Sequence, residues 1–511
     1  MMHRRKFLEA GLVAGSAICL FPAEVFGNRA LQNESDYLHL PSTLIRSPKA
    51  QMPPGKRIPF DWNAFAVPAA GKSGRATLQF GKPEMPFAEM RLRICTVMEI
   101  REEIRIDVYS VASRLLIGTF DIRFPHPLQP FEILVDPSHH EDVLRKGVSL
   151  QMVKGSGPAW FLAGKGLQGE KYPALRTHLL LSNVQGGRQQ YHSMLGSLNS
   201  IQPFGLMEGC VLDGLYDLFR STGNHTFLTT LSNHLALFFD KEKRLDYEDP
   251  QGNVQKDTFY GTAGTLPLAV VAKLEPRHPV ISRFIKFCEA NLSEDGLIAD
   301  DGRISAEGCY TLAYPLAEVA VVRSDPSLAM LAIKQLLLRH RYLFREGDLY
   351  PYGYRNGPSG ISGRATGVAW YLLGMVKTLV SLTKNEGFTR LEGVDEIRAH
   401  YEAAVSWTLR HQQSDGLWFS YLKEGISGTD TSGSAGIAAA MALGEKHGWL
   451  SVPVRENAGR TFRQLEKMLT PDGYLKGASP VNVADENQQQ GSYRVISPWA
   501  LGLLAMLEAA L

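Results

Sequence analysis

Six stretches of this chain join a small-residue opening to an apolar helical run, and each sets a charged side chain at or just before the opening: Glu208, Asp257, Glu307, Arg364, Asp430 and Arg494. Carboxylates and arginines brought to one cavity with aromatic rings can bind and cleave a sugar. One carboxylic acid protonates, a second group activates water, and a guanidinium grips a sugar carboxylate through paired hydrogen bonds. The clearest opening is Ile304 to Ala320, ISAEGCYTLAYPLAEVA, where Tyr310, Leu312, Ala313, Leu316, Ala317 and Ala320 fall at helical spacing. Glu307 therefore stands where a helix begins, and the helix dipole favours a carboxylate there. Met207-Glu208-Gly209-Cys210 repeats the arrangement. The pattern casts Glu307 as general acid, Glu208 or Asp257 as its partner, and Arg364 or Arg494 as the carboxylate clamp. Tyr310, Tyr354, Trp418, Asp430 and Tyr493 are the further sugar contacts. Each type also has a plainer use: Glu at a helix start is a common cap, and glycine and serine let helices approach. Asp430-Thr431-Ser432-Gly433 reads equally as a capped helix start, and Trp370 and Trp499 lie far enough along their helices to be core. His192, His234 and His411 have no partner at metal spacing, so neither a metal nor a cofactor is expected.

These residues meet only if the helices are arranged to bring them together. The six apolar runs are Gly205 to Phe219, Tyr260 to Leu274, Ala306 to Ala320, Ser362 to Leu379, Asp430 to Leu443 and Gly491 to Leu507. Amphipathic helices lie between them, such as Pro279 to Leu292 and Pro326 to Phe344. A regular alternation of apolar inner and amphipathic outer helices predicts a closed (α/α)6 toroid over residues 184–511. An open solenoid needs polar caps at its ends. The last helix, PWALGLLAMLEAAL, is instead among the most apolar. Before the helices, residues 58–183 show short period-two runs such as Leu92, Ile94, Thr96, Met98 and Ile100, broken by Pro and Gly. They predict an antiparallel β-sandwich. The chain is thus expected to be α+β and multidomain, with 28–57 as a linker or arm.

Arg4-Arg5-Lys6-Phe7-Leu8 ahead of an apolar run ending near Phe21 reads as a twin-arginine-like export signal over residues 1–27, which predicts a periplasmic or secreted protein without an anchor. Cys95, Cys210, Cys288 and Cys309 are too few and too scattered for a disulfide scaffold and are expected as buried thiols. A net charge of +2 without a basic stripe leaves no footprint for nucleic acid. The expected partner is an oligosaccharide containing uronic acid, with self-association possible through the β-domain.

The helical half resembles the unsaturated uronyl hydrolases of glycoside hydrolase families 88 and 105, the six-hairpin glycosidases. The likeness is carried by Thr222-Gly223-Asn224, AEGCYTLAYPLAEVA, SGRATGVAWYLLG, and DGLW followed by DTSGSAGIAAAMALG, over roughly residues 200 to 510. In that family an aspartate of the third inner segment is the general acid/base and another in the second assists. By position the resemblance puts these roles on Glu307 and Asp257. This chain departs from the family in having Glu without the paired Asp, about one residue off. Arg364 matches the arginine of the family's Arg-Gly-Asn-Gly-Trp piece, whose other residues are replaced. The resemblance implies an enzyme that removes a terminal uronic acid, either unsaturated or a glucuronate as in the β-glucuronidases of family 154.

Other readings make different predictions. A uronate-polymer lyase or epimerase would abstract a proton beside the carboxylate, a lyase leaving a new double bond. A non-catalytic glycan-binding protein would show no turnover to lose at Glu307. A terpenoid cyclase matches only through Gln412-Gln413-Ser414-Asp415-Gly416-Leu417-Trp418, a single QW copy without a DxDD run.

Overall fold

Twelve helices follow residue 187 among the residues that the computed structural model describes, which are 36–48, 50–164, 172–423, 427–481 and 491–511. They are α1 (Arg188–Leu195), α2 (Leu206–Thr222), α3 (His225–Leu235), α4 (Pro267–Leu274), α5 (Pro279–Ala290), α6 (Tyr314–Arg323), α7 (Pro326–Leu343), α8 (Ala365–Leu382), α9 (Val394–Leu409), α10 (Thr431–Lys446), α11 (Arg455–Glu466) and α12 (Ala500–Ala510). The even-numbered helices are apolar nearly all round and form the inner ring; α8 is long and apolar enough to cross a membrane, yet 94% of it is buried. A helix without a polar face belongs inside a large core. Each inner helix packs on the next and α12 returns to α2, which closes the ring. Five outer helices pack on the inner helix just before them, and α1 covers α12.

Local sequence sets the boundaries. Asn224 and Asp325 cap α3 and α7 by accepting backbone N–H bonds, and Pro279 and Pro326 occupy first-turn positions where an N–H would be unpaired in any case. The inner helices approach closely because glycines meet backbone. A Cβ on Gly214 would lie 2.3 Å from the Gly502 carbonyl, and one on Gly374 would lie 2.2 Å from the Cys309 carbonyl carbon. The four cysteines 95, 210, 288 and 309 are free and buried, as the sequence implied.

Among the described residues, eleven strands precede these twelve helices. A four-stranded antiparallel sheet runs β1 (Tyr37–Pro41), β11 (His178–Ser182), β5 (Glu89–Cys95), β8 (Pro130–Val135). A five-stranded one runs β2 (Thr43–Arg46), β4 (Ala76–Gln79), β9 (Val148–Lys154), β6 (Glu103–Ser110), β7 (Leu116–Arg123). β3 (Ala64–Val67) pairs with β10 (Ala159–Leu162). Leu92 and Ile94 of one large sheet and Ile104, Ile106 and Val108 of the other enter one hydrophobic cluster, as period two requires. Part of the stretch expected as an arm, 28–57, instead supplies β1 and β2. Its strands are only five and four residues long, too short to show periodicity in sequence. The expected signal, residues 1–27, lies outside the described residues.

The sheets dock on the ring through buried polar contacts. Arg93 of β5 binds Asp472 at 2.5 and 3.0 Å, and the Tyr493 hydroxyl donates to the Asp121 carbonyl of β7 at 2.9 Å.

Candidate active site

Glu307 owes its place to a proline eight positions on. Pro315 has no N–H and its ring crowds the carbonyl four residues back, that of Thr311. The chain opens into a π-helical turn over Cys309–Ala313 before α6 begins, and the Thr311 carbonyl takes the Thr265 hydroxyl at 2.5 Å instead. Glu307 sits at the mouth of that turn. Gly308 lets the buried Arg339 pass beneath, since a Cβ there would lie 2.4 Å from Arg339 Nε.

Pro351 brings Arg364 to the same place. Its carbonyl accepts the Ala306 N–H at 2.9 Å, and Gly367, in the first turn of α8, lies against its ring. The starts of α6 and α8 are thereby held together. Among the described residues no hydrogen-bond donor reaches the half-buried Glu307 carboxyl, and no acceptor reaches the half-buried Arg364 guanidinium. Burial pushes the Glu307 carboxyl up to about 7; the Asp300 charge adds to this, while Arg303 and Arg364 oppose it. Burial lowers the Arg364 pKa, with Tyr421, Asp430 and Glu307 working the other way. A carboxylic acid part-protonated at neutral pH, within electrostatic reach of a guanidinium that has no acceptor among the described residues, is equipped to protonate a leaving group and hold an anion.

Three groups beside this pair escaped the sequence reading. Asp300 accepts the Thr262 N–H at 2.9 Å and its hydroxyl at 2.5 Å, so it fastens the opening that leads into α4. Arg303 lies over the Tyr352 ring at 4.3 Å. Tyr260 faces Glu307 electrostatically, and burial holds its phenol well above the ordinary range. Asp300-Asp301-Gly302, a carboxylate pair on a turn just ahead of Glu307, was the available signal for the first.

Other expected residues are elsewhere. Glu208 is fully buried: Oε1 meets His234 Nδ1 at 2.9 Å and Oε2 accepts the Gln202 N–H at 2.7 Å, so it pins the start of α2. Asp257 has a positive φ of 55°, which turns its side chain away to Arg283 of outer helix α5 at 2.6 Å. Arg494 is held by carbonyls: Nε donates to Thr429 at 2.6 Å, and Nη1 to Gly491 and Tyr493 at 2.9 and 2.7 Å. Tyr493 serves the docking contact with β7. Trp418 is fully buried with its indole donating to the Thr408 carbonyl at 3.0 Å. Tyr310 donates to Asp213 at 2.7 Å and stacks between Tyr314 and Trp370 inside the ring. Asp430 caps α10, accepting from Ser432 and from the Ser479 N–H at 3.0 Å, yet remains within electrostatic reach of Arg364. Tyr354 is 44% exposed on the hairpin Tyr352–Tyr354 with Gly357–Ser359, which pairs with Ile304–Ser305 just before Glu307. Of the ten residues, the structure joins Glu307 and Arg364, with Asp430 and Tyr354 at the edge.

A cavity of about 500 Å³ lies between β7, β8 and the ring, lined by Glu132, Thr429, Lys476 and Arg494. Another of about 610 Å³ lies at the opposite end of the toroid among the helix C-termini. There Lys377 binds Asp213 and Asp217 at 2.6 and 2.7 Å, and Lys384 binds Glu318 at 2.7 Å.

The sequence model described as Glycosyl Hydrolase Family 88 matches residues 313–510, which include Arg364 and begin beyond Glu307. The chain resembles the six-hairpin glycosidases. A possible family 105 member from Salmonella enterica serovar Paratyphi A superposes with a TM-score of 0.54 at 15% identity, covering 63% of this chain and 91% of its own. A family 105 glycoside hydrolase from C. acetobutylicum gives 0.51 at 17% identity, covering 61% and 95%. At such identities the six-hairpin likeness is one of fold. No curated protein matches the chain in sequence.

Proposed function

We propose that this protein is an exported glycoside hydrolase that removes a terminal uronic acid, saturated or unsaturated, from an oligosaccharide. The observation that carries the reading is the Glu307–Arg364 pair, a carboxyl pushed up to about 7 beside a guanidinium without an acceptor among the described residues. For a saturated uronide, Glu307 in its protonated form gives its proton to the glycosidic oxygen as that bond breaks. Water attacks the sugar cation, and its proton is taken by a carboxylate; Asp300, with one donor on each oxygen, is our candidate for it. Arg364 binds the uronate carboxylate in bidentate fashion. That binding also cancels the charge that opposes Glu307 protonation, so the substrate's own anion favours the acid form. Export rests on Arg4-Arg5-Lys6-Phe7-Leu8 and the apolar run after it.

The test is a panel of saturated and unsaturated glucuronides and galacturonides with sugar release as readout, run on the parent and on Glu307→Gln. The reading requires turnover of at least one uronide that the variant loses. Products bearing a new double bond would replace hydrolysis with elimination.

A further inference from the structure

Where the sheets meet the ring, three side chains from distant parts of the chain converge: His39 of β1, His178 of β11 and Asp472 on the turn after α11. His39 and Asp472 are 433 positions apart, so no motif spacing could announce them. One nitrogen or oxygen from each lies within 4.8 Å of the others. His178 is fully buried. Its Nδ1 is 2.5 Å from the Arg176 carbonyl, which can only accept, so the hydrogen is on Nδ1 and Nε2 carries a lone pair. That Nε2 is buried and receives no hydrogen bond. A histidine oriented through Nδ1–H to a backbone carbonyl, with a bare, buried Nε2 in a cluster that also holds a carboxylate and a second imidazole, has the form of a metal ligand with its outer support in place. The carboxylate is supported as well: Asp472 Oδ1 accepts the Thr470 hydroxyl at 2.7 Å and Arg93 Nη2 at 3.0 Å, and Oδ2 accepts Arg93 Nη1 at 2.5 Å.

We propose that His39 Nε2, His178 Nε2 and Asp472 Oδ2 bind a divalent transition ion of the zinc type, and that this ion ties the β-sheets to the toroid. Two imidazoles and a carboxylate are a familiar three-ligand set for zinc, and the fourth position would take water. The 10% exposed edge of His39 offers the way in. At present His39 Nε2 meets Asp472 Oδ2 at 2.8 Å; on binding, the Nε2 hydrogen moves to Nδ1 and the ion takes its place. Among the described residues Arg93 is the one Arg or Lys in contact with Asp472, and Glu132 answers it at 2.8 Å. With both imidazoles neutral, Arg93, Asp472 and Glu132 leave one net negative charge to receive the ion. Arg91, the next cation out, is paired with Glu89 at 2.7 Å and stands 3.8 Å from Glu132, so that the two arginines and three carboxylates still leave one net negative charge.

The test uses the full chain stripped with chelator, then titrated with Zn²⁺ by calorimetry and with Co²⁺ by visible absorption. The proposal expects one saturable Zn²⁺ equivalent, a rise in melting temperature, and the visible bands of a low-coordinate Co²⁺ site. His178→Gln and, at the part-exposed position, His39→Gln should each weaken binding roughly tenfold to a hundredfold. His192→Gln, at a histidine outside this cluster whose Nε2 meets Glu508 at 2.8 Å, should leave it unchanged. Absence of saturable binding, or equal binding by parent and His39→Gln, overturns the proposal.

Discussion

Glu307→Gln should slow the enzyme and stabilise it, with each effect read at a different pH. Loss of a general acid costs about 10² to 10⁴ in rate, or ~3–5 kcal/mol of barrier. For stability, the folded carboxyl titrates at about 7 against its ordinary 4.5, so the folded state holds the proton more tightly than the unfolded chain. Stability from this group is therefore complete below about pH 4.5 and is lost as pH rises through about 7. The gap amounts to about 3 kcal/mol, and water's access to a half-buried side chain reduces it to about 1–3 kcal/mol. Glutamine carries no charge to desolvate. The variant should therefore unfold at higher urea than the parent near pH 8, by about that energy, and the two should converge toward pH 4.5. The assay is urea unfolding followed by tryptophan fluorescence, alongside sugar release across the same pH range, where the parent's kcat/KM should fall through about 7. A variant equally or less stable near pH 8, or one that keeps parental turnover, refutes the argument.

Arg364→Met should raise KM for uronides by roughly tenfold to a hundredfold, the loss of a charge-assisted pair, and leave a neutral glycoside unaffected; steady-state kinetics on matched substrates decide it. Glu208→Ala strands His234 and the Gln202 N–H in the core and should cost about 3–5 kcal/mol in urea unfolding. Lys377 and Lys273 hold the Asp213 carboxyl far below the usual carboxylate range, with Tyr310 and Tyr314 also donating to it. The sign is opposite to Glu307: this stability is present above about pH 4 and drains away as pH falls below it, so Asp213→Asn should flatten the acid limb of a stability–pH curve.

The ring was legible because it rests on repetition: six apolar runs in regular order need only the hydrophobic period to be seen. Glu307 and Arg364 were legible for the same reason, each standing at the first turn of such a run. What failed was direction. Asp257 sits in an opening like the others, but a left-handed backbone turns it to an outer arginine. Trp418 and Arg494 have the right chemistry for a sugar and spend it on carbonyls of their own chain, which depends on contacts between loops. Asp300 stands seven residues ahead of Glu307 and fastens the helix start of another hairpin through Thr262, a pairing that sequence spacing does not announce.

The closure of the ring also sets an order of events during synthesis. Helix α1 comes first of the twelve and covers α12, with His192 and Arg188 reaching Glu508 at 2.8 and 3.3 Å. Until residues 500–510 are in place, α2 and α10 border a vacant apolar slot, and the face of α2 that packs on α12 is without its cover from the time α2 is made. Shortening α12 by two turns would therefore leave the protein open along its length, and capture by chaperones should increase abruptly.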